Sequence, residues 1–249
     1  MTDLISPPTP EAPAKLSWAA TVRVYLEPAS LRMLALGFAA GLPLLLVLGT
    51  LSFRLREAGI DRATIGFLSW VGLAYAFKWC WAPLVDRLPI PLLTRLLGRR
   101  RSWLLLAQAM VMTGLLGMAF TDPQLALHSV VGFALLVAFG SATQDIALDA
   151  YRIESADTQR QAALAATYQT GYRLAMIWAG AGVLWIAARA EVANVAAYQH
   201  AAWQTAYLVM AATMLVGVFT VLFSPEPARR ELPPARNAAE WLQSALIEP

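Results

Sequence analysis

The sequence predicts an all-α membrane protein with six transmembrane helices, and three observations support this fold class. Apolar residues make up 58% of the 249 residues and charged residues only 14%, whereas soluble domains have about 25% charged residues. Long uncharged stretches separate the charges that are present. None of these stretches shows the apolar–polar alternation of a membrane barrel strand. This composition excludes a disordered protein, a nucleic-acid-binding basic domain and, with one cysteine, a disulfide scaffold.

Six stretches are long enough to cross a bilayer, because about 20 apolar residues rising about 1.5 Å each span a core of about 30 Å. Charged residues bound them in order: Arg32 and Arg54, Arg62 and Asp86, Arg101 and Asp122, Asp122 and Asp145, Arg160 and Arg189, Glu191 and Glu226. Only Lys78 interrupts the second stretch and only Arg173 the fifth. The predicted spans are residues 31–53, 63–85, 102–121, 124–149, 162–188 and 201–223.

Both ends of the chain are polar and rich in proline. Residues 1–30 are predicted to form a disordered, juxtamembrane cytoplasmic segment, because they begin with a polar, proline-rich stretch. About the first 25 residues are not a signal peptide, because they contain no apolar region of the kind that a signal peptide requires. Residues 224–249 are predicted to be a cytoplasmic linker, with a short amphipathic helix at 238–246 capped by Asn237. Lys and Arg favour the cytoplasmic side of multi-pass proteins. With the N terminus in the cytoplasm, thirteen of the 19 lie on that side and four outside, so both termini are predicted to be cytoplasmic.

Four ionisable residues lie within or at the edge of the predicted spans, namely Lys78, Asp145, Asp149 and Arg173. Each costs about 2.5–3.5 kcal/mol at a helix centre, so we expect them to face the bundle interior or a wet cavity. Asp145 and Asp149 are four residues apart and share one helix face. Two carboxylates in a medium of low dielectric constant need a proton or a compensating cation. Lys78 and Arg173 are the candidate cations.

The same residues also have purely structural interpretations. Asp149 is close to Arg152 and can belong to a charge network that holds helix ends together. Lys78 can extend its ammonium to the interface, and Arg173 can form a buried ion pair with an aspartate of the fourth span. Polar neighbours extend the candidate set: Gln169 and Tyr172 lie beside Arg173, whereas Gln108 and Gln144 are also candidates for hydrogen bonds between helices.

The loop between the second and third spans reads Ala82-Pro83-Leu84-Val85-Asp86-Arg87 and then Gly98-Arg99-Arg100-Arg101. It resembles the loop motif of the major facilitator superfamily, with about nine residues inserted before the glycine. The AmpG-type muropeptide permeases carry the same long loop, and the acetyl-CoA transporters are their relatives. Further stretches resemble that group: Gly37-Phe38-Ala39-Ala40-Gly41-Leu42-Pro43, Thr143-Gln144-Asp145-Ile146-Ala147-Leu148-Asp149, Gly171-Tyr172-Arg173 and Pro225-Glu226-Pro227.

The resemblance implies one half of a major facilitator superfamily transporter, built from two nested three-helix inverted repeats. It implies a proton-driven symporter that imports anhydro-muropeptides across the bacterial inner membrane from periplasm to cytoplasm, for cell-wall recycling. Neither a metal nor a prosthetic group is implied. The implied working residues are Asp145, Asp149, Lys78 and Arg173, with proton coupling for the two aspartates and substrate binding for the two cations. Alternating access between two halves further predicts a cytoplasmic gate formed by Asp86, Arg87, Gly98, Arg99 and Arg100. Gln108, Gln144, Gln169 and Tyr172 complete the candidate substrate-binding set.

Transporters of this superfamily have two six-helix halves, and residues 31–223 correspond to one. The chain is then an N-terminal half that lacks its C-terminal half, or a natural half-transporter that pairs with a second subunit or with itself. Alternative functions are the transport of another anion, such as acetyl-CoA, or a non-transporting role as a half-length fragment. A membrane enzyme has less support, because His128 and His200 are the only histidines and no metal spacing or nucleophile motif occurs.

Overall fold

The computed structural model describes residues 18–192 and 197–228, and every regular element in these ranges is helical. The predicted helix at 238–246 lies outside the described residues. Five of the helical segments are long and apolar enough to cross a membrane: Pro28–Glu57, Arg99–Phe120, Pro123–Glu154, Arg160–Ala190 and His200–Phe223. They correspond to the first, third, fourth, fifth and sixth predicted spans, and the protein is a multi-pass membrane protein.

These five segments are built from α2, α3 and α8 to α13, with local changes of helix type. The first combines α2 (Pro28–Leu45), a π-helical turn (Leu46–Thr50) and α3 (Leu51–Glu57). Helices α8 (Arg99–Phe120) and α9 (Pro123–Glu154) are the next two. The remaining two consist of α10 (Thr158–Ile177), a π-helical turn (Trp178–Gly182) and α11 (Val183–Ala190), and of α12 (His200–Thr213) and α13 (Leu215–Phe223).

The second predicted span is not the continuous helix expected over 63–85. It consists of α4 (Arg62–Leu68), α5 (Leu73–Ala76) and α6 (Ala82–Arg87), joined by the 3₁₀ turns Ser69–Gly72 and Lys78–Cys80. Pro83 accounts for one break, because a proline lacks the amide hydrogen and its ring collides with the carbonyl four residues earlier. Glycines at 66 and 72 weaken the helix further. A short helix, α7 (Leu93–Leu97), lies in the long loop that follows.

Part of the N-terminal segment predicted to be disordered is helical. Helix α1 covers Trp18–Tyr25, and α2 begins at Pro28, before the predicted start at residue 31. Proline suits the first turn of a helix, where its missing amide hydrogen has no partner to lose. The Ser30 hydroxyl donates a hydrogen bond of 2.7 Å to the Val24 carbonyl, which ties α1 to the start of the first long segment.

Glycines bring α2 and α10 into backbone contact. A Cβ atom at Gly37 would lie 2.2 Å from the carbonyl oxygen of Tyr168, and one at Gly41 would lie 2.4 Å from that of Tyr172. A Cβ atom at Gly171 would lie 2.0 Å from the Leu34 carbonyl oxygen. Small residues at helix interfaces permit such close approach. This packing fixes the positions of Tyr168 and Tyr172 relative to the first long segment.

Candidate functional site

Asp145 lies on α9 inside the bundle, nine residues before Glu154, or about 14 Å along the helix axis. Its Oδ2 atom lies 3.9 Å from the Nζ atom of Lys78, and the two side chains are 16% and 38% exposed, respectively. Its Oδ1 atom is buried and has no hydrogen-bond partner among the described residues. Buried polar atoms almost always have a partner, so this carboxylate keeps an unused hydrogen-bonding position.

Three tyrosines lie near enough to the Asp145 carboxylate to interact with its charge. Tyr75 comes from α5, and Tyr168 and Tyr172 come from α10. The two rings on α10 are 6.0 Å apart, in positions set by the contact of α10 with Gly37 and Gly41. The Tyr75 hydroxyl is buried and faces the side chain of Ser141. These residues and Lys78 form the Asp145 site.

The other residues predicted for proton coupling or substrate binding are not all part of this site. Asp149 is 52% exposed and lies 3.4 Å from the Nη2 atom of Arg152, an arrangement that fits its structural interpretation. Arg173 and Gln169 are exposed, and Arg173 forms no ion pair with any described residue. The alternative of a buried ion pair between Arg173 and an aspartate of the fourth span is therefore wrong.

Gln108 and Gln144 lie in the bundle interior and are fully buried. Neither the amide nitrogen nor the amide oxygen of either residue has a hydrogen-bond partner among the described residues. A Cβ atom at Gly217 would lie 2.7 Å from Nε2 of Gln108, so this glycine makes room for the amide. The hydrogen bonds between helices considered for these residues are not formed, and their substrate-binding role stays a prediction.

Two of the candidate gating residues, Asp86 and Arg100, meet where α8 begins. They form a cluster with Arg101, Glu154 and Glu226 that we call the Arg100 end. The Arg100 guanidinium donates hydrogen bonds of 3.0 and 2.6 Å to Glu154 and one of 2.7 Å to Asp86. Arg99 lies 3.7 Å from Glu154. Arg87 occupies the last turn of α6, next to Asp86. Arg100 therefore joins the ends of α6 and α9 through carboxylates.

Glu226 closes the same cluster from the segment that follows α13. Its carboxylate accepts hydrogen bonds from the backbone amides of Arg100 and Arg101, at 2.8 and 3.1 Å. A carboxylate is favoured at a helix N terminus, where amide groups have no partner within the helix. Gly98 has φ +90 and a Cβ atom there would lie 2.3 Å from the Glu226 side chain, so glycine allows both the turn and the approach. The Arg101 guanidinium donates to the carbonyls of Val221 and Leu222 at 2.9 and 2.6 Å.

The opposite end of the bundle contains a buried arginine that lies just past the predicted end of the first span. Arg54 is 0% exposed. Its guanidinium donates to the carbonyls of Met118 and Thr121, at 2.5 and 2.8 Å, and to the Tyr198 hydroxyl, at 3.2 Å. Its Nη2 atom lies 3.1 Å from Nδ1 of His200. We call this cluster of five residues the Arg54 end.

Comparison with known proteins identifies the family. The model of the family described as acetyl-coenzyme A transporter 1 matches residues 31–240, which is most of the chain. The chain belongs to this family. The resemblance noted in the sequence is thereby confirmed at the level of the family.

Two curated relatives of this family member are named as a permease and as a transporter. The "Anhydromuropeptide permease" of Escherichia coli (strain K12) is 38% identical over 206 residues, which cover 83% of this chain and 39% of that protein. The "Putative transporter AmpG 4" of Rickettsia felis is 34% identical over 215 residues, which cover 86% of this chain and 49% of that protein. The chain thus spans less than half the length of these relatives, and neither name describes an enzyme.

For this family member, sequence reasoning found the charged residues of the Asp145 site but missed Tyr75, Glu154, Glu226 and Arg54. Tyr75 lies in an apolar stretch, where nothing distinguishes it from a packing residue. Glu154 and Glu226 each follow the end of a span, and this position is itself a signal of a network at the ends of the helices. Arg54 was taken as the boundary of the first span, although the helix continues to Glu57.

Proposed function

We propose that the chain is the N-terminal half of a proton-coupled transporter that imports anhydro-muropeptides from periplasm to cytoplasm for cell-wall recycling. The observation that carries this proposal is the Asp145 site, in which a carboxylate inside the bundle has one free oxygen and lies 3.9 Å from Lys78. The name and the 38% identity of the Escherichia coli relative support the substrate class.

The geometry supports an exchange between proton and substrate. A contact of 3.9 Å is longer than a charge-assisted hydrogen bond of about 2.8 Å, so Lys78 is close to Asp145 without being bonded to it. Protonation of Asp145 removes its charge and makes Lys78 available to a carboxylate of the substrate. Arg173 is exposed and has a planar guanidinium that suits bidentate binding of a carboxylate. Loss of the proton would return Lys78 to Asp145 and favour release of the substrate.

In this proposal, the chain contributes six transmembrane helices arranged as two nested three-helix inverted repeats, and the interrupted segment 62–87 is the second of them. A further six-helix half, or a second subunit, covers the face that carries Arg173 and Gln169. Both side chains are exposed, and a cation facing lipid at mid-depth is costly. The length of the relatives, of which the alignments cover 39% and 49%, supports this interpretation.

The orientation follows from the distribution of Lys and Arg. We place both termini in the cytoplasm and the protein in the bacterial inner membrane. The Arg100 end then faces the cytoplasm, where Asp86, Arg87, Gly98, Arg99 and Arg100 act as a gate. Rocking of two halves about a central site is the usual mechanism of alternating access, and the ion pairs of Arg100 would open and close with it.

The test is the substitution Asp145→Asn in the full-length transporter, with uptake of labelled anhydro-muropeptide measured in vesicles with and without a proton gradient. We expect uptake to lose its dependence on the gradient, because asparagine cannot exchange a proton. Asp149→Asn, at the second candidate, is expected to have a smaller effect since Asp149 is exposed and paired with Arg152. Asp61→Asn is the matched control, since Asp61 only caps α4. Uptake by Asp145→Asn that remains fully dependent on the gradient contradicts the proposal.

Transport of another anionic solute is the second candidate, favoured by the family description, which names an acetyl-coenzyme A transporter. An acyl-coenzyme A carries phosphates, and Lys78 and Arg173 suit them as well as carboxylates. Uptake of labelled acetyl-coenzyme A and of labelled muropeptide by the same vesicles separates the two. Reconstitution of the 249-residue chain alone tests whether it acts without a second half or is a non-transporting fragment.

A further inference from the structure

Two titratable groups among the described residues contact the Arg54 guanidinium, namely the phenol of Tyr198 and the imidazole of His200. Of the two, only the imidazole changes its charge near neutral pH. The Nη2 atom of Arg54 lies 3.1 Å from Nδ1 of His200. A guanidinium has only donors, so Nδ1 has to be the acceptor. An acceptor nitrogen exists only in the neutral imidazole with its hydrogen on Nε2. The contact therefore exists in one protonation state and one tautomer of His200.

Protonation of His200 would place an N–H group and a positive charge against a second cation at this distance. The repulsion falls on a guanidinium that is 0% exposed and has no carboxylate within ion-pair distance among the described residues. The other partners of Arg54 are the carbonyls of Met118 and Thr121 and the hydroxyl of Tyr198. None of these carries a charge that offsets a second cation.

The remaining charged and titratable groups around His200 do not reverse this conclusion. Asp122, before α9, is a carboxylate whose charge favours protonation. It forms no ion pair with His200 within 4.0 Å and instead accepts a hydrogen bond from the Gln124 amide at 2.9 Å. Glu57 accepts a hydrogen bond of 2.7 Å from the indole of Trp203. Burial raises the pKa of the Tyr198 phenol, so it stays neutral.

Arg54 is also stacked on a ring from the helix that carries His200. Its guanidinium carbon lies 5.3 Å from the centre of the Tyr207 ring, within the range of a cation–π contact. Arg54 thereby joins α3, the end of α8 and the start of α12. Release of Arg54 would loosen three elements together.

Protons can reach His200 from outside the bundle. The residue is half-buried and lines an open cavity of about 850 Å³, together with Thr121, Asp122 and Ser129. Phe120, Leu125, Phe133 and Leu136 form apolar walls of the same cavity. A half-buried imidazole beside an open cavity can exchange its proton with the medium without unfolding of the bundle.

We infer that His200 is a proton-responsive contact of the Arg54 end, which holds Arg54 when the imidazole is neutral and releases it when the imidazole is protonated. This inference rests on the contacts of Arg54 and His200 and does not depend on the proposed transport function. The unfolded chain protonates its histidines near pH 6.5, whereas the Arg54 contact opposes protonation of His200 in the folded state. The folded state therefore loses stability as the pH falls below about 6.5, and the Arg54 end is less stable at pH 5.5 than at pH 8.

The test uses the full chain in detergent micelles, and the sequence offers a matched control because its second histidine, His128, is exposed. Thermal unfolding is measured at pH 8.0 and pH 5.5 for the parent, His200→Asn and His128→Asn. Asparagine keeps an acceptor oxygen near the place of Nδ1 and does not titrate. We expect the midpoint of the parent and of His128→Asn to fall by about 3–6 °C in acid, and that of His200→Asn to fall by less than about a third of this.

Two outcomes overturn the inference: an undiminished acid effect in His200→Asn, or the loss of the effect in His128→Asn. Carboxylates titrate alike in all three proteins and do not contribute to the difference. A second measurement keeps the test valid if His200→Asn does not fold. In His128→Asn, ¹⁵N shifts of the one remaining imidazole report the tautomer. An unprotonated Nδ1 at pH 8.0 supports the inference, and a protonated Nδ1 contradicts it.

Discussion

The two ends of the bundle hold their helices together in different ways. At the Arg100 end, a buried arginine is bonded to two carboxylates, Asp86 and Glu154. At the Arg54 end, a buried arginine is bonded to backbone carbonyls, a phenol and an imidazole, with no carboxylate in contact among the described residues. Charge compensates charge at one end, whereas polar groups without a net charge satisfy the cation at the other.

The two ends therefore respond to different conditions. Carboxylate pairs that are partly exposed weaken in salt, because ions screen them. Carbonyls that end a helix carry a partial negative charge, and they keep it at any salt concentration or pH. At the Arg54 end the variable partner is His200, so pH is the condition that changes it. The ion pairs of the Arg100 end can therefore be weakened by other charges, as a gate requires. The contacts of the Arg54 end stay intact at neutral pH, where His200 is uncharged.

The largest effect is expected from Arg54→Met. Methionine fills part of the volume but leaves the Met118 and Thr121 carbonyls and the Tyr198 hydroxyl without a donor. We expect the free energy of unfolding to fall by about 3–5 kcal/mol, measured by chemical unfolding in detergent micelles. Arg56→Met is the matched control, because Arg56 is exposed on the same helix and should change stability by less than about 0.5 kcal/mol. Equal effects of the two substitutions would show that the bonds of Arg54 contribute little.

Glu154→Gln tests the charge compensation at the opposite end. The amide keeps the shape and some of the hydrogen bonds but leaves Arg100 with Asp86 as its remaining carboxylate partner in the described structure. We expect a loss of about 2 kcal/mol by the same unfolding measurement. Asp149→Asn is the control from the same helix, since its ion pair with Arg152 is exposed and is worth about 0.5 kcal/mol or less. A loss no larger than that of the control argues against a charge network.

Glu226→Gln sharpens the comparison by removing a charge from a helix start instead of from an ion pair. The amide oxygen can still accept one of the two backbone hydrogen bonds from Arg100 and Arg101. The expected loss is therefore smaller, about 1 kcal/mol. Glu191→Gln, an exposed site before α12, serves as the control. Stability unchanged by Glu226→Gln would mean that the carboxylate does not stabilise the start of α8.

The smallest expected effect is the salt dependence of Asp86→Asn. Asp86 is 39% exposed and lies 2.7 Å from Arg100, so screening by 1 M salt should reduce the effect of the substitution by about 0.5 kcal/mol. The effect of Arg54→Met should not change with salt, because no carboxylate contacts Arg54 in the described residues. Unfolding curves of both variants at low and high salt measure the contrast. A stronger salt effect at the Arg54 end would show that charge pairs stabilise that end and not the Arg100 end.

Sequence reasoning predicted the helical membrane class and five of the long helices, because a bilayer requires long apolar stretches and these are visible in one dimension. It predicted a continuous helix over 63–85, where the structure has short pieces. The signals were Gly66, Gly72 and Pro83, but hydropathy averages over a whole stretch and does not register a local break. The sequence made Lys78 and Arg173 equally plausible partners for an aspartate of the fourth span. Only the packing of the helices shows that Lys78 is the partner of Asp145.

The sequence by itself determined which segments enter the membrane and which charged residues enter with them, since the transfer of each side chain depends on its own chemistry. The tertiary structure decided which of those charges meet. Lys78 lies beside Asp145 and Arg173 does not, Glu226 rather than a nearby residue caps α8, and Arg54 is buried. Each of these contacts joins residues of different helices, and helix packing through glycines such as Gly37, Gly41 and Gly171 sets the distances between helices.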